Sequence, residues 1–248
     1  GVHTAMKMFV VPRQPLEIIE IAITNKSAAP KDLDLTSYFE WEAAIHPDAH
    51  REFHKLFMDT SFDPNLNALK LLKYMWGFGD KKGLHNNVDW DYTGFHAVSE
   101  PVASFDTDKE SFLGMYGRED SPQAMKDEQL AKNQGRFGDP VASLRNEIKL
   151  QPGESKTLVY TIGCTTLGKN EIPGIDSTYE DPDPLIKKYT SVKGAREAFA
   201  DLQAFWAELL GGDEAKTPDA AFDLMTNTFA KYQAISGRLW AKTGYYQT

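Results

Sequence analysis

Three of the six histidines are spaced by four residues: His46, His50 and His54. On a helix this spacing puts side chains on one face, and histidines four apart begin many zinc sites. Pro47 follows His46 directly, however, and a residue before proline is disfavoured in helical backbone. The order His-Glu-x-x-His is also absent. We therefore predict no bound metal, and keep a metal-dependent hydrolase as a competing hypothesis.

The segment around these histidines, residues 48–62, mixes aromatic and charged side chains. One interpretation is a loop or short helix that carries polar groups, above all Arg51 and His54, toward a ligand, because loops often carry binding residues. The other is an amphipathic element at a sheet edge that packs its rings on the core. The residues leave both interpretations open. The segment contains Phe53, Leu56, Phe57 and Phe62 together with Arg51, Glu52, His54 and Lys55.

A second segment, residues 76–95, combines aromatic rings with amides and carboxylates. Rings stack on the apolar face of a pyranose, while Asn and Asp side chains hydrogen-bond its hydroxyls. The segment therefore predicts a carbohydrate contact with Trp90 as a candidate; the alternative is a long glycine-rich hairpin loop held by its own rings. Its polar and aromatic members are Trp76, Phe78, His85, Asn86, Asn87, Asp89, Trp90, Asp91, Tyr92 and Phe95.

Motifs of nucleophilic and phosphate-binding sites are absent from the sequence. It contains no Gly-x-Ser-x-Gly, no Walker loop and no Gly-x-Gly-x-x-Gly. Cys164 follows a predicted strand without any sign of activation, so we expect a small buried apolar side chain there. Carboxylates are too numerous in this acidic chain for the sequence to select a catalytic pair.

Composition excludes several classes of protein. The 248 residues include 14 Phe, 10 Tyr and 5 Trp, too much apolar area for a disordered chain. The single cysteine excludes a disulfide scaffold, and 36 acidic against 27 basic residues argue against a nucleic-acid partner. No apolar run reaches the roughly 18 residues of a membrane span, so we expect a cytoplasmic protein with no membrane partner. The start at Gly1 rather than Met and the end at Thr248 indicate a fragment.

Short apolar runs separated by turn residues predict the elements up to about residue 165. Residues 16–24 read L-E-I-I-E-I-A-I-T and stop at a turn, residues 25–27. Many short strands without long helices between them indicate an antiparallel β-sandwich. The predicted strands are 5–11, 16–24, 33–42, 68–76, 92–99, 143–150 and 156–163.

After residue 180 the apolar spacing becomes that of a helix. Apolar residues recur at intervals of three or four positions, and Gly211-Gly212 ends the pattern. They are Ala195, Phe199, Leu202, Trp206 and Leu209. A second helix is predicted to begin with Thr217 as its cap and Pro218 in its first turn. Its apolar stripe runs to about residue 241 and contains Phe222, Met225, Phe229, Tyr232 and Leu239.

Five stretches are together similar to one family of carbohydrate enzymes. They are I-A-I-T-N-K-S (21–27), L-D-L-T-S-Y-F-E (33–40), F-H-K-L-F-M-D-T (53–60), D-P-V-A-S-L (139–144) and K-Y-Q-A-I-S-G-R-L-W-A-K-T-G-Y-Y-Q (231–247). In order and spacing they resemble glycoside hydrolase family 94, formerly glycosyltransferase family 36, which includes cellobiose, cellodextrin and chitobiose phosphorylases. The third and fifth stretches look most similar to the branch associated with β-1,2-glucan.

This resemblance implies a mainly β fold, an antiparallel β-sandwich followed by an α-helical linker and the first helix of an (α/α)6 barrel. The supersandwich-like domain would take residues 1–165, a loop 166–182, the helical linker 183–212, and the start of the barrel 217–248. The resemblance also implies a homodimer in which the sandwich helps to cover the active site of the partner.

The reaction implied by the resemblance is reversible, inverting phosphorolysis of a β-linked gluco-oligosaccharide to α-glucose 1-phosphate. Inorganic phosphate would be the co-substrate, and no cofactor is implied. The catalytic aspartic acid and the phosphate site would lie outside this chain, so we expect the chain alone to be inactive. Tyr245, Tyr246 and Gln247 would approach the rim of the substrate site. A competing hypothesis is a non-catalytic carbohydrate-binding β-sandwich module with a helical stalk.

Overall fold

The computed structural model of the chain describes residues 1–43, 55–73, 92–166 and 181–239. Within these ranges the first part of the chain is built of antiparallel strands. They are β1 (Val2–Val10), β2 (Leu16–Asn25), β3 (Lys31–Thr36), β4 (Phe39–Glu40), β5 (Met58–Asp63), β6 (Ala68–Lys73), β7 (Tyr92–Val98), β8 (Ser104–Asp108), β9 (Pro140–Leu150) and β10 (Ser155–Thr166).

The larger sheet has six strands in the order β1-β2-β10-β7-β6-β5, and all of its neighbouring pairs are antiparallel. The turn after β2 is held by Asn25, whose amide nitrogen donates to the carbonyl of Ala29 at 2.8 Å while its oxygen accepts the amide of Ser27 at 3.0 Å. An Asn side chain that bonds its own turn explains why the strand stops where the sequence predicts.

The smaller sheet is organised around β9. Strands β3 and β4 both pair with β9, and β8 also pairs with it. The core lies between this sheet and the larger one, because buried side chains of both belong to one cluster. Its members include Ile23, Leu71, Val98, Leu158 and Tyr160 from the larger sheet and Ala142, Leu144, Ile148 and Leu150 from the smaller one. This arrangement confirms the predicted antiparallel β fold.

Two strands were not predicted, β5 and β8, and β8 carries an aspartate at a buried position. In β8, Asp106 is buried, and its carboxylate accepts the hydroxyl of Ser111 at 2.7 Å and the amide of Asp108 at 3.2 Å. A buried carboxylate with its own donors is compatible with a strand interior. The predicted strand 33–42 is interrupted in the structure, where Ser37 separates β3 from β4.

Helices form the remaining described elements: α1 (Lys109–Leu113), a 3-10 turn at Gln123–Met125, α2 (Asp183–Tyr189), α3 (Val192–Leu210), α4 (Ala220–Leu224) and, after a π-helical stretch at Met225–Ala230, α5 (Lys231–Leu239). The contacts divide the chain into two units, Gly1–Arg196 and Glu197–Thr248. In the first unit α2 lies against the larger sheet, since Asp183 pairs with Lys70 of β6 at 2.6 Å. The hydroxyl of Thr190 also lies 2.7 Å from that of Thr161.

The start of α4 differs from the prediction. Asp219, not Thr217, is the cap, because its carboxylate accepts the backbone amides of Ala221 at 2.9 Å and Phe222 at 3.2 Å. Thr217 instead donates its hydroxyl to Asp223 at 2.9 Å. A charged carboxylate satisfies two amides of the first turn at once, which a threonine hydroxyl does less well. Among the described helices, none is both long and apolar enough to cross a membrane.

Candidate functional site

All six residues predicted to contact substrate lie outside the described part of the chain. They are Arg51, His54, Trp90, Tyr245, Tyr246 and Gln247. The histidines of the hypothetical metal site, His46, His50 and His54, lie outside it as well. These assignments therefore stay predictions. Within the described ranges, no group of three His, Cys, Asp or Glu side chains is arranged to hold a metal ion.

Each of the two predicted binding segments has residues within the described part of the chain. Phe95, at the end of the second segment, is fully buried in β7 and is not available to a sugar. Phe62, in the first segment, stacks on Phe105 with ring centroids 4.3 Å apart and packs on the core, as the edge-strand interpretation predicts. Lys55 and Leu56 of the same segment line a cavity, so the ligand interpretation also stays open.

This cavity is one of two that adjoin at the end of β5, and we call the pair the groove. The first has a volume of about 400 Å³ and the second of about 530 Å³, sizes typical of small-molecule sites. They share Asp108, Phe137 and Gly138. The first is also lined by Met58, Asn133, Gln134 and Arg136, and the second by Lys55, Leu56, Glu110 and Asp139.

One wall of the groove is the stretch of residues 133–139, which we call the 133–139 loop. Gly135 forms a two-way bridge with Thr60 of β5: its amide donates to the Thr60 carbonyl at 2.8 Å and its carbonyl accepts the Thr60 amide at 3.1 Å. The Thr60 hydroxyl lies 2.6 Å from that of Thr107, which donates to the carbonyl of Asn133 at 3.0 Å. The loop is therefore fastened to both β5 and β8.

Ion pairs fasten the same loop at both ends. Arg136 donates its Nε to Asp59 of β5 at 2.9 Å, and Asp139 accepts Nζ of Lys55 at 2.7 Å. Surface ion pairs usually contribute only ~0–1 kcal/mol each to the stability of a protein. Their main effect here is therefore to position the backbone on either side of Phe137.

A polar cluster lies at the start of α1, next in the sequence to Asp108 of the groove. Glu40 accepts Nζ of Lys109 at 2.6 Å and the hydroxyl of Tyr38 at 3.2 Å. Burial by itself would raise the pKa of Glu40, but the hydrogen bond and charge of Lys109 outweigh it and hold this pKa below its ordinary value. Burial, together with the charge of Glu40, raises the pKa of Tyr38. The glutamate is therefore ionised and the tyrosine protonated at neutral pH.

The groups that line the groove are suited to binding a ligand. The carboxylate of Asp108 caps α1 by accepting the amide of Ser111 at 3.0 Å. Asp139 is paired with Lys55 and Asp59 with Arg136, and Glu110 also lines the second cavity. Burial raises the pKa of the partly buried thiol of Cys164, so it is not an activated nucleophile. The groove offers amides, carboxylates and one ring, the set of groups that recognises hydroxyl-rich ligands.

Sequence reasoning missed the 133–139 loop. The local signal was present, since N-Q-G-R-F-G-D places a single aromatic residue among turn and polar residues. The same signal occurs in many loops that bind nothing. Only the pairing of the loop with β5 brings it beside Lys55 and Leu56.

Comparisons with known proteins agree with this fold. The family model described as "Glycosyl hydrolase 94, supersandwich domain" matches residues 1–192. An N,N'-diacetylchitobiose phosphorylase of Vibrio proteolyticus is 25% identical over 98% of this chain. The cyclic beta-(1,2)-glucan synthase NdvB of Rhizobium meliloti (strain 1021) is 24% identical over 94% of it. The chain spans 27% of the first relative and 7% of the second.

Among solved structures, a family GH92 α-mannosidase from Bacteroides thetaiotaomicron is similar over 94% of this chain and 24% of its own, with 12% identity and a TM-score of 0.45. A similarity of that size adds nothing to the assignment, which depends on the family model. That model covers most of the chain and coincides with the two sheets and α2. The chain belongs to glycoside hydrolase family 94, and residues 1–192 match its supersandwich domain.

Proposed function

We propose that the protein containing this chain is an inverting glycoside phosphorylase that acts on a β-linked gluco-oligosaccharide. The reaction is reversible. Inorganic phosphate replaces the leaving sugar at the anomeric carbon, and α-glucose 1-phosphate is released. The supersandwich domain described here would support that reaction without carrying its catalytic acid.

The observation that carries the proposal is the extent of the similarity to known phosphorylases. It continues beyond the residues matched by the family model, to 98% of this chain in a chitobiose phosphorylase and 94% in a 3-O-beta-D-glucopyranosyl-beta-D-glucuronide phosphorylase of Paenibacillus borealis. Sandwich and helices are thus matched together.

The chemistry of the proposed reaction follows that of inverting glycosidases, with phosphate in the place of water. An aspartic acid donates its proton to the glycosidic oxygen as the bond from this oxygen to the anomeric carbon breaks. A phosphate oxygen forms the new bond to that carbon from the opposite face. We place this acid and the phosphate-binding groups outside the chain, because the resemblance of the sequence to the family implies that position for them.

The second unit supports the proposal that residues 217–248 begin a helical domain. Phe222, Met225, Phe229 and Tyr232 lie along α4 and its continuation into α5, and all four are exposed. A row of large apolar side chains at helical spacing is typical of a helix that packs against other helices. The first helix of an (α/α)6 barrel would present such a row.

The remaining assignments belong to the same proposal. Tyr245, Tyr246 and Gln247 would reach the rim of the substrate site, and Arg51, His54 and Trp90 would contact substrate from the sandwich. A homodimer with no cofactor is proposed from the resemblance of the sequence to the family, and a cytoplasmic location from the composition of the chain.

The experiment supplies the protein that contains this chain with α-glucose 1-phosphate and a panel of glucose and N-acetylglucosamine acceptors. We expect release of inorganic phosphate with at least one glucose-based acceptor, and proton NMR should show the α-anomer of glucose 1-phosphate in the phosphorolytic direction. Absence of phosphate release across the panel, combined with measurable sugar binding, would favour the non-catalytic carbohydrate-binding module.

A further inference from the structure

Phe137 is the aromatic residue that lines both cavities of the groove. Its ring is 75% exposed, and its backbone adopts the left-handed conformation with φ of 72°. Exposing a large aromatic ring and placing a bulky residue in left-handed backbone are both unfavourable. Both occur at one residue, and that residue lines both cavities. Strain of this kind persists only where surrounding contacts impose it.

Those contacts are present on both sides of the residue. Arg136 is held to Asp59 at 2.9 Å, and Asp139 is held to Lys55 at 2.7 Å. Gly135 is bridged to Thr60 one residue further back. The ring therefore projects from a fixed backbone, which means that a ligand stacked on it would bind without the entropic cost of ordering the loop.

The charges near the ring favour a neutral ligand. Lys55 and Arg136 are each paired with a carboxylate of the same surface, so neither presents an isolated cation to an anion. The side-chain oxygen of Gln134 accepts the amide of Phe62 at 2.9 Å, and its nitrogen remains the donating end. Amide donors, carboxylate acceptors and an exposed ring together suit the hydroxyls and the apolar face of a pyranose.

We propose that the groove binds two consecutive sugar units of a β-gluco-oligosaccharide, with Phe137 as the stacking platform between them. The choice of a glucose-based sugar rests on the proposed function, whereas the site itself rests on the geometry. Asn133 and Gln134 would bond the unit in the first cavity, and Glu110 would bond the unit in the second.

The test uses the full-length protein and its Phe137→Ala, Phe137→Trp and Tyr116→Ala variants. Tyr116 is a matched control, because it also belongs to the β8–β9 connection, is 96% exposed and has φ of 61°, but lines neither cavity. Calorimetric titration in phosphate-free buffer measures binding without turnover. The probes are glucose tetramers with β-1,2, β-1,3 and β-1,4 linkages. Phosphate release from α-glucose 1-phosphate is measured separately.

We expect at least one tetramer to bind the unmodified protein. Phe137→Ala should weaken its affinity about tenfold, the effect of losing one aromatic contact, while Phe137→Trp retains the affinity and Tyr116→Ala leaves it unchanged. Equal affinities for Phe137→Ala and the unmodified protein would overturn the site, and so would an absence of binding to all tetramers. A tenfold loss in a protein that releases no phosphate would support the site and refute the phosphorylase.

Discussion

His96 and Ser37 connect the two sheets through a hydrogen bond of 2.8 Å between Nε2 and Oγ. The other ring nitrogen, Nδ1, lies 3.2 Å from the carbonyl of Thr161. Because a carbonyl can only accept, we assign the proton to Nδ1, which leaves Nε2 to accept the hydroxyl of Ser37. The ring is fully buried between Phe39 and Tyr160, and burial lowers the pKa of His96 to about 4.

The depressed pKa of His96 predicts a pH-dependent stability. Between its ordinary value of 6.5 and about 4, the unfolded chain binds the proton and the folded chain does not, so acid favours unfolding. The free energy of unfolding should therefore fall by up to about 3 kcal/mol across this window, in addition to any carboxylate effect. Urea titrations at several pH values measure it. His96→Gln should show a shallower dependence in the same window, and an unchanged slope would contradict the assignment.

Gly163 of β10 lies against neighbours that leave no room for a side chain. An added Cβ would approach Cζ of Phe95 and the carbonyl of Pro15 to 2.6 Å. We expect Gly163→Ala to destabilise the protein by about 1–3 kcal/mol, since such overpacking displaces backbone. Gly212→Ala is the control, because nothing lies within 4 Å of its Cβ position. Similar denaturation midpoints for the two variants would refute this close packing.

Arg145 fastens the β8–β9 connection to the smaller sheet. Its buried guanidinium donates to the carbonyls of Asp127, at 2.8 Å, and Ala124. Arg145→Ala should cost about 3 kcal/mol, because it removes charge-assisted bonds from buried carbonyls. Hydrogen–deuterium exchange of the backbone amides near Ala124 and Asp127 should become faster. Arg118→Ala, which removes an exposed ion pair with Asp120, should change neither the free energy of unfolding nor the exchange rates. Equal exchange rates in the two variants would contradict the role of Arg145.

Gly135 positions Phe137 through its backbone, with φ of 110°, a value that side chains rarely permit. Gly135→Ala should therefore disturb the bridge to Thr60 and weaken tetramer binding about three- to tenfold, equivalent to ~0.7–1.4 kcal/mol. Gly153→Ala carries a similar strain, at φ of 77°, in the β9–β10 turn. Calorimetric titration of both variants compares the effect on tetramer affinity of strain in the 133–139 loop with that of strain in the β9–β10 turn. Equal losses of affinity would mean that the orientation of Phe137 does not affect binding.

Alternation of apolar residues was enough to predict most strands, because the pattern is local. Residues 16–24 and 156–163 lie within β2 and β10, which pair along nearly their whole length. The same pattern failed at β8, where Asp106 occupies a buried strand position. Its carboxylate is bonded by Ser111 of α1 and by the amide of Asp108, and no alternation rule anticipates these partners. The helix start shows the same limit, since the sequence predicted Thr217 as the cap and the structure has Asp219, two residues later.

The sequence by itself determined the antiparallel class, the family resemblance and the change from strands to helices, because periodicity and turn residues act over a few positions. Tertiary structure alone decided which side chains face water. Phe95 and Phe137 both lie within two residues of a glycine in the sequence, yet the first is fully buried and the second is exposed in the groove. The difference arises because β7, which carries Phe95, is paired with β10 on one side and β6 on the other. The 133–139 loop, which carries Phe137, meets β5 through the bridge between Gly135 and Thr60. Burial depends on distant neighbours, and only the folded chain supplies them.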